Sequence, residues 1–157
     1  MNDRTFEVKY ELYKRLVYKI CYSLLLHAED SEDAVQETFV KFYRANKYFP
    51  SETDEKNYLI RIAVNSSNDI LRKRKPIVQD FEIADVREKV TNEIEANEIL
   101  RMVNKLEPKY REVIILKYIE DMGYPEIAKI LQTNEAAIRK RHQRAIERLR
   151  EIERRNK

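Results

Sequence analysis

The stretch TNEAAIRKRHQRAIERLR, residues 133–150, concentrates the charged chemistry of this chain. Six basic side chains and a single acid, Glu147, lie between Arg139 and Arg150, interrupted by apolar residues at helical spacing. Guanidinium and ammonium groups on one helix can neutralise phosphates, and each such contact releases counterions and makes binding salt-dependent. On a helical wheel Ile138, Ala145, Leu149 and Ile152 form one stripe, suited to pack on Ile127, Ala128 and Leu131. Glu135, Ala136, Arg139, Lys140 and Gln143 lie opposite, where they can meet a partner, and Arg139, Lys140, Arg144 and Arg148 are the phosphate-neutralising candidates. Small Ala136 and Ala137 near the helix start let a backbone approach closely. A solvated basic face is the competing reading, since charge runs often serve only solubility.

Other reactive residue types do not assemble into a catalytic pattern. His27 and His142 lack metal-ligand spacing. Glu29, Asp30, Glu32 and Asp33 are dense in carboxylates, but no glycine-bearing calcium loop accompanies them. Cys21 sits on an apolar face and reads as core. No metal, no cofactor and no enzymatic activity are expected.

The elements that must position the basic helix are themselves helical. The 157 residues are 43% hydrophobic and 38% charged, apolar enough to fold and too charged for a membrane protein. No apolar run reaches transmembrane length, so no membrane insertion is expected, and CYSLLL (21–26) lacks the cleavage site of a signal peptide. One cysteine cannot close an internal disulfide, which fits a reducing cytoplasm. One glycine leaves little material for tight hairpins or phosphate loops. An all-α fold is predicted.

Net charge is +3, unevenly distributed. Residues 1–75 carry 14 Lys and Arg against 12 Asp and Glu, residues 76–107 carry 4 against 8, and residues 108–157 carry 13 against 8. Two basic ends around an acidic middle predict two nucleic-acid-facing modules joined by a connector. Phe6, Tyr10, Tyr13, Leu16, Val17, Ile20 and Leu24 step by three and four, predicting a helix over about 4–26. A second helix is predicted from Asp30 as N-cap, with Ala34, Val35, Phe39, Phe42 and Tyr43 as its stripe. Ser51 and Asp54 form a capping-box-like start for a third, which buries Tyr58, Leu59, Ile62, Ala63 and Ile70 and stops at RKRKP. These three helices make a module over 1–75, followed by a linker over 76–91. Over 92–157, Ile94, Ile99, Leu100, Val103 and Leu106 predict a helix, and Pro108 opens another that runs toward Met122 and Gly123. YPEIAKIL is a short helix, Gln132, Thr133 and Asn134 are the turn, and Asn134 caps the basic helix. A short helix, a tight turn and a longer basic helix make a helix-turn-helix.

Three stretches, SEDAVQETFVKFYRA (31–45), NYLIRIAVNSSNDILRKRK (57–75) and LEPKYREVIILKYIEDMGYPEIAKILQTNEAAIRKRHQRAIERLR (106–150), together resemble bacterial RNA polymerase sigma factors of the extracytoplasmic-function type. The last stretch alone also fits LuxR-type regulators; the three in order are the specific signal. The resemblance implies a promoter-specificity subunit that binds core RNA polymerase, promoter DNA and an anti-sigma factor. It implies that the acidic-polar face Asp33, Gln36 and Glu37, at i, i+3 and i+4, meets the polymerase clamp while Phe39 turns to the core. It implies that the third helix reads opened minus-ten DNA through Arg61, Asn65, Asn68, Arg72 and Lys73, with a base pocket from residues 51–57. The basic helix would then read the minus-thirty-five element through Glu135, Ala136, Arg139, Lys140, Gln143, Arg144 and Arg148. The chain departs from the family where Tyr58 replaces a usual tryptophan, and where Gln132, Asn134 and Ala137 replace the usual turn residues. Glu135 puts an acid beside DNA, where it disfavours phosphate and accepts from a cytosine amine. Two competing readings remain: a helix-turn-helix regulator that works without polymerase, and a degenerate homologue that titrates polymerase or an anti-sigma partner.

Overall fold

The structure, a computed structural model, describes residues 1–74 and 98–155, which belong to separate compact units. The expected linker over 76–91, Lys75 and the start of the second module, with Ile94, lie outside the described residues. No strand occurs among the described residues, as the scarcity of glycine predicts.

In the first unit α1 (Asp3–Leu25), α2 (Ala28–Ala45) and α3 (Glu52–Lys73) all pack against one another. Each buries the central part of the stripe its spacing predicts. Val17, Ile20 and Leu24 of α1, Ala34, Phe39 and Phe42 of α2, and Leu59, Ala63 and Val64 of α3 are all but removed from solvent. Cys21 is fully buried, and desolvation pushes its thiol pKa up to about 12, so it behaves as a small apolar core residue. Tyr10 and Tyr43 end at the surface and Tyr58 and Ile70 are only half-buried among the described residues.

Three caps hold the helices at their bends. Leu26 adopts a left-handed backbone (φ 45°) and returns its N–H to the Tyr22 carbonyl, ending α1 within one residue. The N-cap of α2 is His27 and not Asp30: the Asp30 N–H donates to His27 Nδ1 at 3.1 Å. The tight bend at Leu26 brings the cap forward by three residues, and the Asp30 carboxylate accepts from Arg74 instead. Arg74 also donates to the Leu25 carbonyl at 3.1 Å, so it ties the end of α3 to the α1–α2 corner. Ser51 caps α3 as expected, accepting from the Asp54 N–H at 3.1 Å and donating to its carboxylate. Glu55, 7% exposed, is a buried charge, satisfied by Lys9 and by the Tyr13 hydroxyl at 3.0 Å. Burial and the neighbouring carboxylate raise the Tyr13 pKa, keeping that phenol protonated as a donor.

In the second unit α7 (Glu135–Arg155) packs against α4 (Glu98–Val103), α5 (Pro108–Ile114) and α6 (Tyr124–Ile130). Ile127, Ile130, Ile138 and Ala145 form its centre together with Val113 and Leu116. The Arg111 guanidinium is buried and donates to the Asn104 and Leu106 carbonyls at 2.7 and 3.0 Å, closing the α4–α5 turn. The helix expected to run on from Pro108 toward Met122 changes register: a π-helical turn covers Ile115–Ile119, with the Glu120 N–H on the Ile115 carbonyl. Such turns re-aim side chains and often accompany function.

Candidate nucleic-acid interface

The α6–α7 connection has helix-turn-helix form. Leu131 ends α6, Gln132 takes a left-handed backbone (φ 58°), and the Thr133 N–H returns to the Ala128 carbonyl. Asn134 caps α7 as expected, its side-chain carbonyl accepting the Ala137 N–H at 2.8 Å. Gln132 holds this conformation without glycine's freedom, because the returned hydrogen bond and the Asn134 cap over-determine the turn.

Ala136, Arg139, Lys140, Gln143 and Arg144 are exposed and Glu135 half-exposed, opposite the buried Ile138 and Ala145. The basic residues do not share one task. Arg148 follows Arg139 by nine residues, about 180° around a helix of 3.6 residues per turn. It pairs with Glu107 at 3.0 Å and stacks on Tyr110, so it fastens α7 to the start of α5. Arg141 pairs with the buried Glu112 at 3.4 Å. Arg139 pairs with Glu135 at 2.8 Å within α7 and lies over the Tyr124 ring. Lys140 and Arg144, between these flanks, complete the outward face.

His142, which lacks metal-ligand spacing in the sequence, bridges two tyrosines. Its Nδ1 is 2.6 Å from the Tyr124 hydroxyl and its Nε2 2.7 Å from the Tyr118 hydroxyl. Desolvation first, and the Lys117 charge second, lower its pKa below the usual histidine value. It is therefore neutral near pH 7, with one ring nitrogen donating and the other accepting.

The first unit carries a second polar surface. Arg61, Asn65, Asn68 and Arg72 follow at i, i+4, i+7 and i+11, a strip of about 60° along α3. Asn65 and Arg72 are exposed and Arg61 and Asn68 half-exposed, with Arg72 ion-paired to Asp69. Lys73 lies about 100° away from Arg72, beside the strip. The loop expected over 51–57 is revised: Ser51 is the cap and Glu52–Asn57 are already helical, so the loop proper is residues 47–50. That loop holds a residue the sequence reading missed, Tyr48, which is 88% exposed. Its neighbour Phe49 lies parallel to Phe42 (centroids 6.3 Å apart) and against Tyr58 (5.2 Å), while Lys47 covers the Tyr58 ring at 4.9 Å. The signal was the aromatic pair ahead of Pro50, with one ring free to anchor the loop and the other left outside.

On α2, Asp33, Gln36 and Glu37 are exposed and Phe39 is buried, the division expected of them. Glu37 lies 3.6 Å from Lys41, a surface pair. Gln36 borders a groove between α1 and α2 of about 820 Å³, whose apolar wall includes Tyr10, Phe39, Val40 and Tyr43.

A helical unit with a polar strip on one helix, and a second unit ending in a helix-turn-helix with an outward basic face, define a two-part helical DNA-binding protein. Residues 10–77 match the sigma-70 region 2 family model and residues 96–149 the sigma-70, region 4 model. The chain is 32% identical to the ECF RNA polymerase sigma factor SigW of Bacillus subtilis, over 89% of this chain and 84% of that protein. It is 33% identical to the ECF RNA polymerase sigma-E factor of Haemophilus influenzae, over 75% and 71%. Among solved structures it resembles CnrH, in complex with the cytosolic domain of CnrY, with a TM-score of 0.72 and 24% identity over 99% of this chain and 92% of that one. It also resembles RpoE of Bartonella quintana, in complex with the anti-sigma factor NepR, with a TM-score of 0.69 and 21% identity over 96% and 98%. The chain therefore belongs to the extracytoplasmic-function group of the sigma-70 family, RNA polymerase subunits that direct transcription initiation to promoters. No helix of the described residues is long and apolar enough to cross a membrane.

Proposed function

We propose that the two units divide the promoter between them, residues 1–75 holding polymerase and opened minus-ten DNA and residues 92–157 holding the minus-thirty-five duplex. The observation that carries this division is the pairing of the α3 strip with a helix-turn-helix in one chain, because a regulator of intact duplex needs only the latter. Asp33, Gln36 and Glu37 offer two carboxylates and an amide to a basic clamp surface. Arg61, Asn65, Asn68, Arg72 and Lys73 contact the opened strand, and Tyr48 offers an exposed ring on which an unpaired base stacks. Ala136, Arg139, Lys140, Gln143 and Arg144 enter the major groove, with Glu135 at the helix start, while Arg148 acts on DNA only through its positive field. The protein works in the cytoplasm without catalysis of its own. An anti-sigma factor, such as the NepR present in the similar RpoE structure, holds it inactive.

Transcription in vitro with core polymerase and a genomic promoter library tests the reading. Core-dependent initiation at a shared two-part motif is expected. Sequence-specific duplex binding without core would favour a stand-alone regulator, and absence of initiation would favour a titrating homologue.

The strip on α3 makes a separate prediction about the stage of initiation. Arg61→Ala, Asn65→Ala and Tyr48→Ala are expected to leave assembly with core intact and to reduce promoter opening, followed by permanganate reactivity of unpaired thymines. Removal of a stacking ring costs roughly 1–3 kcal/mol per base. Equal losses in closed and open complexes would count against contact with opened DNA.

A further inference from the structure

The ring of Tyr124 does more than begin a helix. Lys117 Nζ lies 4.4 Å and the Arg139 guanidinium 4.7 Å from its centroid, both within cation–π range. Its hydroxyl meets His142, whose other nitrogen meets Tyr118. The ring is thus fixed by a three-residue chain drawn from the π-helical turn, the start of α6 and the middle of α7.

We propose that Tyr124 is a positioning residue for promoter reading: its ring sets the Arg139 guanidinium, and His142, braced by Tyr118, holds the ring at the required angle. The proposal rests on the reading of Arg139 as a base-contacting residue. An exposed arginine has many rotamers and loses that freedom when it binds, so a side chain already held in place binds with less loss. The kind of hold matters too. The Glu135 carboxylate occupies an N–H donor that a base edge also needs, and a surface pair of this kind is weak and screened. A ring touches only the guanidinium face. It leaves the in-plane N–H groups available for the O6 and N7 acceptors of a guanine. Lys117 adds a second positive charge over the same ring, and it helps keep His142 neutral, so that the imidazole accepts from one tyrosine and donates to the other. The π-helical turn at Ile115–Ile119 is what brings Lys117 and Tyr118 to this point.

The test is selection of upstream promoter sequences from a randomised duplex library by the full chain assembled with core polymerase. Arg139→Ala is expected to flatten the preference at one base pair by roughly 5-fold or more, the low end of what a base-reading pair supplies. Tyr124→Leu is expected to flatten that same position, and the double variant to be no flatter than Arg139→Ala alone. Tyr124→Phe, which keeps the ring but loses its hydrogen bond to His142, should retain a preference weaker than that of the unaltered protein and sharper than that of Tyr124→Leu. A sharp preference in Tyr124→Leu beside a flattened one in Arg139→Ala overturns the positioning role and leaves the reading of Arg139 standing. An unchanged preference in Arg139→Ala overturns both. A uniform loss across all sequences in Tyr124→Leu shows a merely structural residue and also overturns the proposal. Should Tyr124→Leu fail to fold, Tyr124→Trp supplies the second measurement, because the chain has no other tryptophan. Its emission in the free protein is expected to shift when Arg139→Ala is added, and an unshifted spectrum overturns the stacking.

Discussion

The double variant Asp33→Lys with Glu37→Lys is expected to lose assembly with core RNA polymerase while keeping its helical content. Both side chains stand exposed on α2, one turn apart, and neither supports the core. The change takes this pair of positions from two negative to two positive charges. Like charges brought together at an interface cost several kcal/mol, so a loss of about 3 kcal/mol or more, over 100-fold in affinity, is expected. The cost to the free protein is small. Glu37 gives up its surface pair with Lys41, and the new lysine there repels Lys41 by a few tenths of a kcal/mol, about what such helix pairs contribute. Co-elution with core polymerase measures the first quantity and circular dichroism the second. Assembly at the level of the unaltered protein would remove this face from the polymerase interface.

Phe42→Ala is expected to be the most destabilising single change in the first unit, at about 3–5 kcal/mol, the usual range for truncating a buried phenylalanine. Phe42 is 1% exposed and packs against Phe49 and Tyr58, with Lys9 above its ring. A loss of this size is a large part of the roughly 5–15 kcal/mol that holds a domain together. Urea denaturation should show a lower midpoint at an unchanged slope. The same change removes the floor beneath Phe49 and Tyr58, which anchor the loop bearing Tyr48, so promoter opening should fall with stability. A midpoint unmoved from that of the unaltered protein would mean that the site collapses around the missing ring, and that Phe42 is not the foundation of the loop.

How far the residues could be read in advance depended on how local their cause is. The spans of α1, α3 and α7 follow from apolar spacing, and Ser51 and Asn134 cap their helices as read, because each cap needs only its own side chain and an N–H three residues on. The cap of α2 shows the limit. His27 and Asp30 are both adequate acceptors, and the choice between them came from the bend at Leu26 and from Arg74, which is 44 residues away from Asp30 in sequence. The π-helical turn is another such case, since ILKYI is as good an α-helical string as its neighbours and it is the packing of the second unit that accommodates the extra residue in the turn.

The all-helical fold, the helix-turn-helix and the outward placement of Asp33, Gln36, Glu37, Asn65, Lys140 and Gln143 were determined by the sequence alone. They depend on period, capping and charge, which act over a few residues. The division of labour among the arginines was decided only by tertiary structure. Arg139, Arg141 and Arg148 are one residue type on one helix, yet the first lies over Tyr124, the second meets Glu112 and the third meets Glu107. An arginine is long enough to reach several neighbours, and which of them it meets depends on the helices that pack beside it. The same holds for His142, which looks like a surface residue until Tyr118 and Tyr124 arrive from two other elements at 2.7 and 2.6 Å.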